Sequence, residues 1–231
     1  MAISHDPLGY REDMAGFLQE IAMSIIDKLA HSLGHRDEVP NQELARDLAA
    51  KKDTKGIREI AENLWHKDRN IQADCIKVLY EVGHIEPKFI AEYAEDFVKL
   101  LKSRNNRLVW GGMTALVEVA KAAPEAVFRH LDAIKKAKET GSVITVDNAI
   151  STLAYTAAAN KQYNEAIFPY LLKHLSSCRP KEVPQHSEKT MPAVNTSNKT
   201  EFIKVLERRM EDLSGSGLAR IKKVIKQVSS L

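Results

Sequence analysis

The chain has few cysteines and few aromatic residues, and each shortage excludes a class of protein. Its 231 residues include two cysteines, Cys75 and Cys178. The first falls in an apolar stretch and the second in a polar one, so a disulfide between them is not expected and a disulfide-stabilised secreted scaffold is excluded. A reducing, cytoplasmic location is therefore expected. Aromatic residues make up 6% of the chain, which suits helical repeats built on Ala, Leu, Ile and Val.

The sequence also has no long apolar run and no secretion signal. The most apolar helical stretch, around residues 14–30, contains Gln19, Glu20, Asp27 and Lys28, so it falls short of the roughly 20 apolar residues that a membrane-spanning helix needs. The opening residues, Met-Ala-Ile-Ser-His-Asp-Pro, lack the basic region and apolar core of a signal peptide. We therefore expect no membrane partner.

Recognisable catalytic and metal motifs are missing from the sequence. It has no glycine-rich phosphate loop, no Gly-x-Ser-x-Gly, no His-Glu-x-x-His and no Cys-x-x-Cys. His31 and His35 stand four residues apart, but Gly34 is expected to end the helix between them, so we interpret them as solvated histidines rather than ligands. Cys178 stands beside Arg179, which leaves a thiol of lowered pKa as an alternative to a thiol without function. No cofactor, no metal site and no catalytic residue is predicted, and a non-enzymatic role is favoured.

The net charge is small, at +3, and does not identify a partner. It is unevenly distributed, with −4 over residues 1–53, +2 over 54–140 and +5 over 141–231. Such asymmetry affects how a charged partner approaches without defining that partner.

What the sequence does have is a pattern that recurs every 37 residues between residues 57 and 158. Its stretches begin at Ile71, Leu108 and Thr145. In each copy a small residue follows four positions later and a large one eight positions later. The small residues are Cys75, Gly112 and Ala149, and the large ones are Leu79, Leu116 and Leu153. A second apolar set lies upstream of each stretch, so every period holds two helices, which predicts a stack of helical hairpins.

The second helix of each period resembles a HEAT repeat. HEAT repeats typically have an Asp in the turn and then Val-Arg-x-x-Ala-x-x-x-Leu, and Asp68, Ile71, Cys75 and Leu79 match that pattern in the first copy. The place of the usual Arg is taken by Gln72, Val109 and Val146. The resemblance implies an all-α superhelix, a HEAT-like solenoid of about five helical hairpins with capping helices. It also implies a scaffold or adaptor that binds protein, although a few related helical-repeat proteins bind or repair DNA.

The breaks in the 37-residue pattern divide the chain into four segments. The chain begins with a predicted amphipathic helix over 8–33, which does not keep the repeat register. After the third period another second helix would begin near residue 182, but Pro180, Pro184 and Pro192 argue against a helix there. The predicted segments are an N-terminal helical cap (1–53), the HEAT-like repeats (54–176), a polar loop insertion (177–198), and a degenerate last repeat with a C-terminal cap (199–231).

One exposed face of the second helices is the predicted partner-binding surface. If the repeat positions point inward, helix geometry places other positions on the concave side of the solenoid. Lys77 stands there against the acids Asp74, Glu81, Glu118 and Asp147, a formal charge of −3, so the surface would repel nucleic acid and favour a protein or peptide segment with a basic or apolar residue. The predicted contact residues are Trp110, Asp147, Lys77, Glu118, Tyr155 and Asn148.

Trp110 has two interpretations. As an exposed residue it would anchor a partner, with Gly111 and Gly112 leaving a pocket beside the indole. Alternatively, Gly112 permits close helix packing and Trp110 covers a neighbouring helix. Each glycine costs about 1 kcal/mol of helix propensity relative to Ala, so either role has to offset that cost.

A basic edge at the turns supports an alternative function. Cations from adjacent repeats would line up as a ridge that binds an acidic partner, as in a nucleic-acid-binding or DNA-repair-related helical-repeat protein. Acidic residues lie close by and no aromatic residue is interleaved, which is also typical of ordinary solvated turns. This basic ridge consists of Lys67, Arg69, Lys102, Arg104 and Arg107.

Overall fold

The computed structural model describes residues 24–231, and the regular secondary structure in that range is entirely helical. Twelve α-helices follow one another there, several of them extended by 3-10 turns. They are α1 (Val39–Lys51), α2 (Thr54–Glu62), α3 (Arg69–Ile85), α4 (Ala94–Leu100), α5 (Asn106–Ala122), α6 (Pro124–Phe128), α7 (Leu131–Thr140), α8 (Val143–Ala158), α9 (Lys161–Ser177), α10 (Val183–Thr190), α11 (Lys199–Arg209) and α12 (Gly215–Ser229). Within this described part of the chain, no helix is long and apolar enough to cross a membrane.

The helices alternate between two layers. In one layer α1, α3, α5, α8, α10 and α12 each pack against the next member of the series. Each helix from α3 onward in this layer also pairs with the element that precedes it in the chain: α2 with α3, the 3-10 turn Pro87–Tyr93 and α4 with α5, α6 and α7 with α8, α9 with α10, and α11 with α12. Five helical hairpins therefore stack in chain order, with α1 packed on the first, which confirms the predicted hairpin stack.

The 37-residue pattern marks buried contacts between these helices. Five of the repeat residues have no exposed surface: Cys75, Leu79, Leu116, Ala149 and Leu153. Gly112 is also buried, and a Cβ atom on it would lie 3.0 Å from the Phe97 carbonyl oxygen and 3.2 Å from Leu100 Cβ. The small residue is therefore required at this position because α4 approaches the backbone of α5 so closely.

The helix N-caps recur with the same period. Asp68 and Asn105 each accept a hydrogen bond from the backbone N–H two residues on, at 2.8 and 3.0 Å, and Ser142 accepts one from the N–H three residues on at 3.4 Å. These acceptors satisfy N–H groups that have no partner inside α3, α5 and α8. Asn and Ser in the later copies thus perform the same local capping as the Asp of the first.

The predicted polar loop (177–198) contains helix α10, so that prediction is wrong. The helix begins at Val183, next to the place where the 37-residue repeat puts it. Pro184 lies in the first turn of α10, Pro180 begins a short 3-10 turn before it, and Pro192 comes after its last residue. The first N–H groups of a helix have no intrahelical partner, so a proline there costs no hydrogen bond. The three prolines therefore lie at the boundaries of helical turns and do not prevent a helix in this segment.

The stretch after α10 is anchored by two buried amides. Asn164 on α9 donates from Nδ2 to the Ala193 carbonyl at 2.8 Å, and Asn198 donates from Nδ2 to the same carbonyl at 3.0 Å. Asn198 also donates to Asn164 Oδ1 at 3.0 Å. This network fixes the connection between α10 and α11 on the fourth hairpin.

The C-terminal end of α9 is capped by a side chain from the fifth hairpin. Arg209 is 8% exposed. Its Nη1 and Nη2 donate to the carbonyls of Leu175 and Cys178 at 2.6 and 2.8 Å, and its Nε donates to Asp212 Oδ2 at 2.6 Å. The last carbonyls of a helix lack intrahelical donors, so Arg209 supplies donors at the end of α9.

The predicted first helix does not extend through 24–33, where the structure has the 3-10 turn Ile25–Lys28. Asn41 on α1 accepts a hydrogen bond from the Ala30 N–H at 2.9 Å, and in a helix that N–H would donate to a carbonyl four residues earlier. The part of this predicted helix before residue 24 lies outside the described residues. The predicted N-terminal cap, repeat segment and C-terminal segment stay predictions.

Candidate functional site

The six predicted contact residues all lie on α3, α5 and α8, but most of them are engaged with other side chains of the same layer. Contacts between helices one period apart join these residues into a continuous surface that also includes α1 and α10. We call this surface the ladder face. It comprises Glu38, Asp74, Lys77, Glu81, Trp110, Thr114, Glu118, Lys121, Asp147, Asn148, Ser151, Tyr155, Gln185, Glu188 and Lys189.

Trp110 is half-buried on α5 and packs on α3. Its ring centroid lies 6.0 Å from that of Tyr80, with the two planes at 52°. Lys77 Nζ lies 4.9 Å from the centroid of the same Tyr80 ring. The indole therefore covers a neighbouring helix with one part of its surface and leaves the remainder open to solvent.

The glycines beside Trp110 serve helix packing. A Cβ atom on Gly111 would lie 2.8 Å from Ile76 Cγ1 on α3, and Gly112 has the close contacts with α4 described above. The room left by their missing side chains is taken up by neighbouring helices. The packing interpretation of these glycines is the one that the structure supports, and the pocket expected beside the indole is not formed by them.

Lys77 joins α1 to α3 and is 8% exposed. Its Nζ donates to Glu81 Oε1 at 2.7 Å and lies 3.0 Å from Glu38 Oε2. Burial alone would lower the pKa of Lys77, but its hydrogen bonds to Glu81, Tyr80 and Glu38 together raise that pKa above the usual value. Lys77 is therefore a charged cross-link within the layer rather than a free contact for a partner.

Glu118 on α5 is 5% exposed and is the centre of a group of contacts that reaches α3 directly and α8 through Lys121. Its two carboxylate oxygens accept hydrogen bonds from Lys121 Nζ at 2.9 and 2.7 Å, and His84 Nε2 on α3 lies 3.6 Å away. Lys121 Nζ also lies 5.0 Å from the ring centroid of Tyr155 on α8. Charge and aromatic contacts thus connect three successive helices.

Asn148 forms the next connection between α8 and α5. Its Nδ2 donates to Thr114 Oγ1 at 2.7 Å, and Thr114 Oγ1 donates to the Trp110 carbonyl at 2.8 Å. The corresponding contact between α10 and α8 is made by Lys189, whose Nζ donates to Ser151 Oγ at 3.2 Å.

Asp147 is held by helix α10. Its side chain is 20% exposed, and its two oxygens accept hydrogen bonds from Gln185 Nε2 at 2.7 Å and from His186 Nε2 at 2.8 Å. Both donors belong to the segment that the sequence predicted to be a loop. Asp147 therefore positions α10, and neither of its oxygens is left without a donor.

The sequence did not predict a cluster of three side chains behind Asp147. His186 is 1% exposed, and its Nδ1 lies 2.9 Å from His174 Nε2 on α9. One ring nitrogen of each histidine and Cys178 Sγ all lie within 4.8 Å of one another. His174 and Cys178 stand four residues apart, which places them on one face of α9. This four-residue spacing is a signal that the sequence offers for the cluster. The third residue, His186, lies in the segment that the sequence predicts to be a loop.

Burial controls the protonation of this cluster. It lowers the pKa of His174 to about 4, with Lys138 and His186 adding to the effect, so this imidazole is neutral near pH 7. It also raises the pKa of the Cys178 thiol, against the opposing effect of Arg209. The alternative of a thiol with lowered pKa is therefore wrong. His31 and His35 lie elsewhere on the exposed surface, beside Asp68 and Asp37.

The predicted basic ridge lies at the turns before α3 and α5. Its five members are all exposed: Lys67, Arg69, Lys102, Arg104 and Arg107. Arg107 lines a cavity of about 160 Å³ together with Asn70, Asp74, Asp37 and Glu38. The ridge is thus interrupted by carboxylates at the point where α3 and α5 meet.

Solved structures of similar architecture identify the fold. A designed armadillo repeat protein in complex with the peptide (KR)4 has a TM-score of 0.63 at 12% identity, covering 98% of this chain and 95% of that one. An engineered protein from a structural genomics consortium gives 0.62 at 20% identity, covering 90% and 98%. Kap121p bound to Pho4p gives 0.57 at 16% identity, covering 87% of this chain and 22% of that one. The chain has an armadillo/HEAT-like helical-repeat fold.

At these identities the likeness establishes the armadillo/HEAT-like architecture alone. It confirms the predicted all-α solenoid and the resemblance seen in the second helices. No protein-family model matches the chain, and no curated protein matches it. The chemistry of the ladder face must therefore be judged from its own residues.

Proposed function

We propose that this armadillo/HEAT-like chain is a non-catalytic scaffold or adaptor that binds an extended protein segment carrying Lys or Arg on its ladder face. The observation that carries the proposal is a partly exposed tryptophan, Trp110, on a surface where carboxylates outnumber cations. Three lysines and six carboxylates give the ladder face a formal charge of −3. Tryptophan is a frequent hot-spot residue of protein interfaces, and the charge favours a basic segment over a phosphate backbone.

The excess of negative charge is greatest on the helices around Trp110. Between α1 and α5 the ladder face has two lysines against four carboxylates. The lysines are Lys77 and Lys121, and the carboxylates are Glu38, Asp74, Glu81 and Glu118. A basic side chain approaching this part of the ladder face would therefore be attracted by the net negative charge that its two lysines leave.

The solved structures support this class of partner. The designed armadillo repeat protein was solved with the basic peptide (KR)4, and Kap121p was solved with the protein Pho4p. An extended peptide laid across a stack of second helices can contact several periods at once, which suits a layer in which equivalent positions recur every 37 residues.

Binding of a labelled (KR)4 peptide, measured by fluorescence anisotropy at moderate salt, tests the proposal. Trp110→Ala should weaken binding at least tenfold, because the indole is the apolar anchor of the face. The same change should lower the free energy of unfolding by about 1–2 kcal/mol, since the side chain is half-buried. Trp65→Ala is the matched control, because Trp65 is 53% exposed outside the ladder face, and it should leave the affinity unchanged.

Two outcomes would contradict the proposal. The first is equal binding of (KR)4 and of an acidic peptide of the same length. The second is a Trp110→Ala variant that loses thermal stability while its affinity for (KR)4 is unchanged, which would make Trp110 a packing residue alone. Binding of duplex DNA that is lost on changing Arg104 and Arg107 to Ala would instead support the basic ridge as a nucleic-acid contact.

A further inference from the structure

The geometry points to a zinc-binding site formed by His174, Cys178 and His186 at the contact between α9 and α10. One ring nitrogen of each histidine and Cys178 Sγ all lie within 4.8 Å of one another, and His174 Nε2 lies 2.9 Å from His186 Nδ1. They come from two helices of the fourth hairpin, so a bound ion would fasten α10 to α9. This site is separate from the ladder-face contacts around Trp110.

The donor set fits zinc. Two imidazole nitrogens and one thiolate sulfur are ligands that Zn²⁺ takes in tetrahedral sites, whereas Ca²⁺ and Mg²⁺ require oxygen ligands. In such a site the donor atoms lie about 3.3–3.6 Å apart, as follows from zinc–nitrogen bonds of about 2.0–2.1 Å and zinc–sulfur bonds of about 2.3 Å. The two imidazole nitrogens are 2.9 Å apart, in a hydrogen bond whose proton lies on His174 Nε2. Zinc binding therefore requires that proton to move to His174 Nδ1, the other neutral tautomer, the Cys178 thiol to release its proton to solvent, and the two nitrogens to separate by about 0.4 Å.

Asp147 fixes the orientation of His186 for this role. Its Oδ1 accepts a hydrogen bond from His186 Nε2 at 2.8 Å, which places the proton on Nε2 and leaves the Nδ1 lone pair directed at the cluster. Metal-ligating histidines usually donate their other N–H to a carboxylate or a carbonyl in this way. Asp147 is thus a positioning residue for the proposed ligand.

The cluster is held in place from the other side by the fifth hairpin. Arg209 donates to the carbonyl of Cys178 at 2.8 Å, which fixes the backbone at the ligand that ends α9. Three protein ligands leave the fourth position of a tetrahedron for water or for a group from a partner.

Cobalt titration of the chelator-treated full chain tests the site. Co²⁺ should produce a thiolate-to-metal charge-transfer band and visible bands of tetrahedral intensity, saturating at one ion per chain, and Zn²⁺ should displace them. Zinc should also protect one thiol of the wild-type chain from alkylation, which requires no variant. At a zinc concentration one hundred times the Kd, the Tm should rise by about 5–10 °C.

The variants separate ligands from packing residues. Cys178→Ser and His174→Gln should abolish the charge-transfer band and the zinc-dependent rise in Tm, with circular dichroism confirming that each variant is folded. Asp147→Asn should keep the band but weaken zinc binding by about 10–100-fold. Cys75→Ala is the matched control, because Cys75 is buried in the core at a different place, and it should bind zinc as the wild type does.

Three results would overturn the proposal: a wild-type chain that gives no charge-transfer band with Co²⁺, a band that survives Cys178→Ser, or zinc that leaves the alkylation rate of Cys178 unchanged. Any of them would mean that His174 donates to His186 only to pack α9 on α10.

Discussion

The junction between α5 and α8 and the junction between α8 and α10 are equivalent places in the stack, but they are built from different side chains. In α8 the small repeat position is Ala149, which is fully buried. One period later α10 has His186 at that position, 1% exposed. The ring nitrogens of His186 lie at hydrogen-bond distance from Asp147 and His174.

The comparison shows that this position is buried in both helices, and that the residue size it accepts depends on the neighbouring side chains. A large polar ring is accepted in α10 because each of its nitrogens has a partner, and a buried polar group without one would be costly. Helix α10 has 8 residues whereas α8 has 16, so α10 offers less apolar surface for packing. The shorter helix depends more on hydrogen bonds for its attachment.

The largest effect is expected from placing a histidine, the residue found at position 186, at the equivalent position 149 one period earlier. Ala149→His should lower the free energy of unfolding by about 4 kcal/mol, because the ring would overpack a filled contact and its nitrogens would have no partners. Ala158→His on the exposed surface of the same helix should change it by less than about 0.5 kcal/mol. Urea denaturation measures both, and a loss below about 1 kcal/mol for Ala149→His would show that the packing around Ala149 can open to admit a ring.

A smaller loss is expected from removing the ring at the polar junction. His186→Ala should cost about 2–4 kcal/mol, because it leaves a cavity and removes partners from Asp147 and His174. The measurement is urea denaturation in buffer with a chelator, so that bound metal makes no contribution. His35→Ala, at a side chain that is 52% exposed, should be close to neutral. If the two changes cost the same, α10 would not depend on His186.

The smallest effect comes from two amides that occupy the same position one period apart. Asn148 donates to the Thr114 hydroxyl and Gln185 donates to the Asp147 carboxylate. Asn148→Ala should cost about 1 kcal/mol and Gln185→Ala about 2 kcal/mol, because hydrogen bonds to charged groups contribute more than neutral ones. Thermal and urea unfolding of the two variants compare them, and the reverse order would show that the charge on Asp147 is screened by solvent.

The fold could be predicted largely from the sequence because its periodic residues are those that pack hairpin against hairpin. Leu79, Leu116 and Leu153 are fully buried, and their spacing alone gave the period. The same period also indicated where α10 begins. The prolines of this segment argue against that helix only when their positions are ignored, because Pro184 falls in a helical first turn where it is tolerated.

The candidate site could be predicted only in part. Helix geometry placed Lys77, Trp110 and Asp147 on second helices, and that placement follows from spacing. Their partners within the chain did not follow from it, because they depend on how separate helices approach one another. Asp147 bonds to Gln185 and His186, which lie 38 and 39 residues further along the chain.

The donors that Arg209 supplies at the end of α9 have a consequence for the motions of the molecule. When α11 detaches, the carbonyls of Leu175 and Cys178 lose those donors at the same moment. We therefore expect the tip of α9 and helix α11 to open together, since fraying of either exposes groups that the other satisfies. Arg209 thus ties the last hairpin of the array to the one before it, in addition to the buried apolar residues Phe202 and Leu206 of α11.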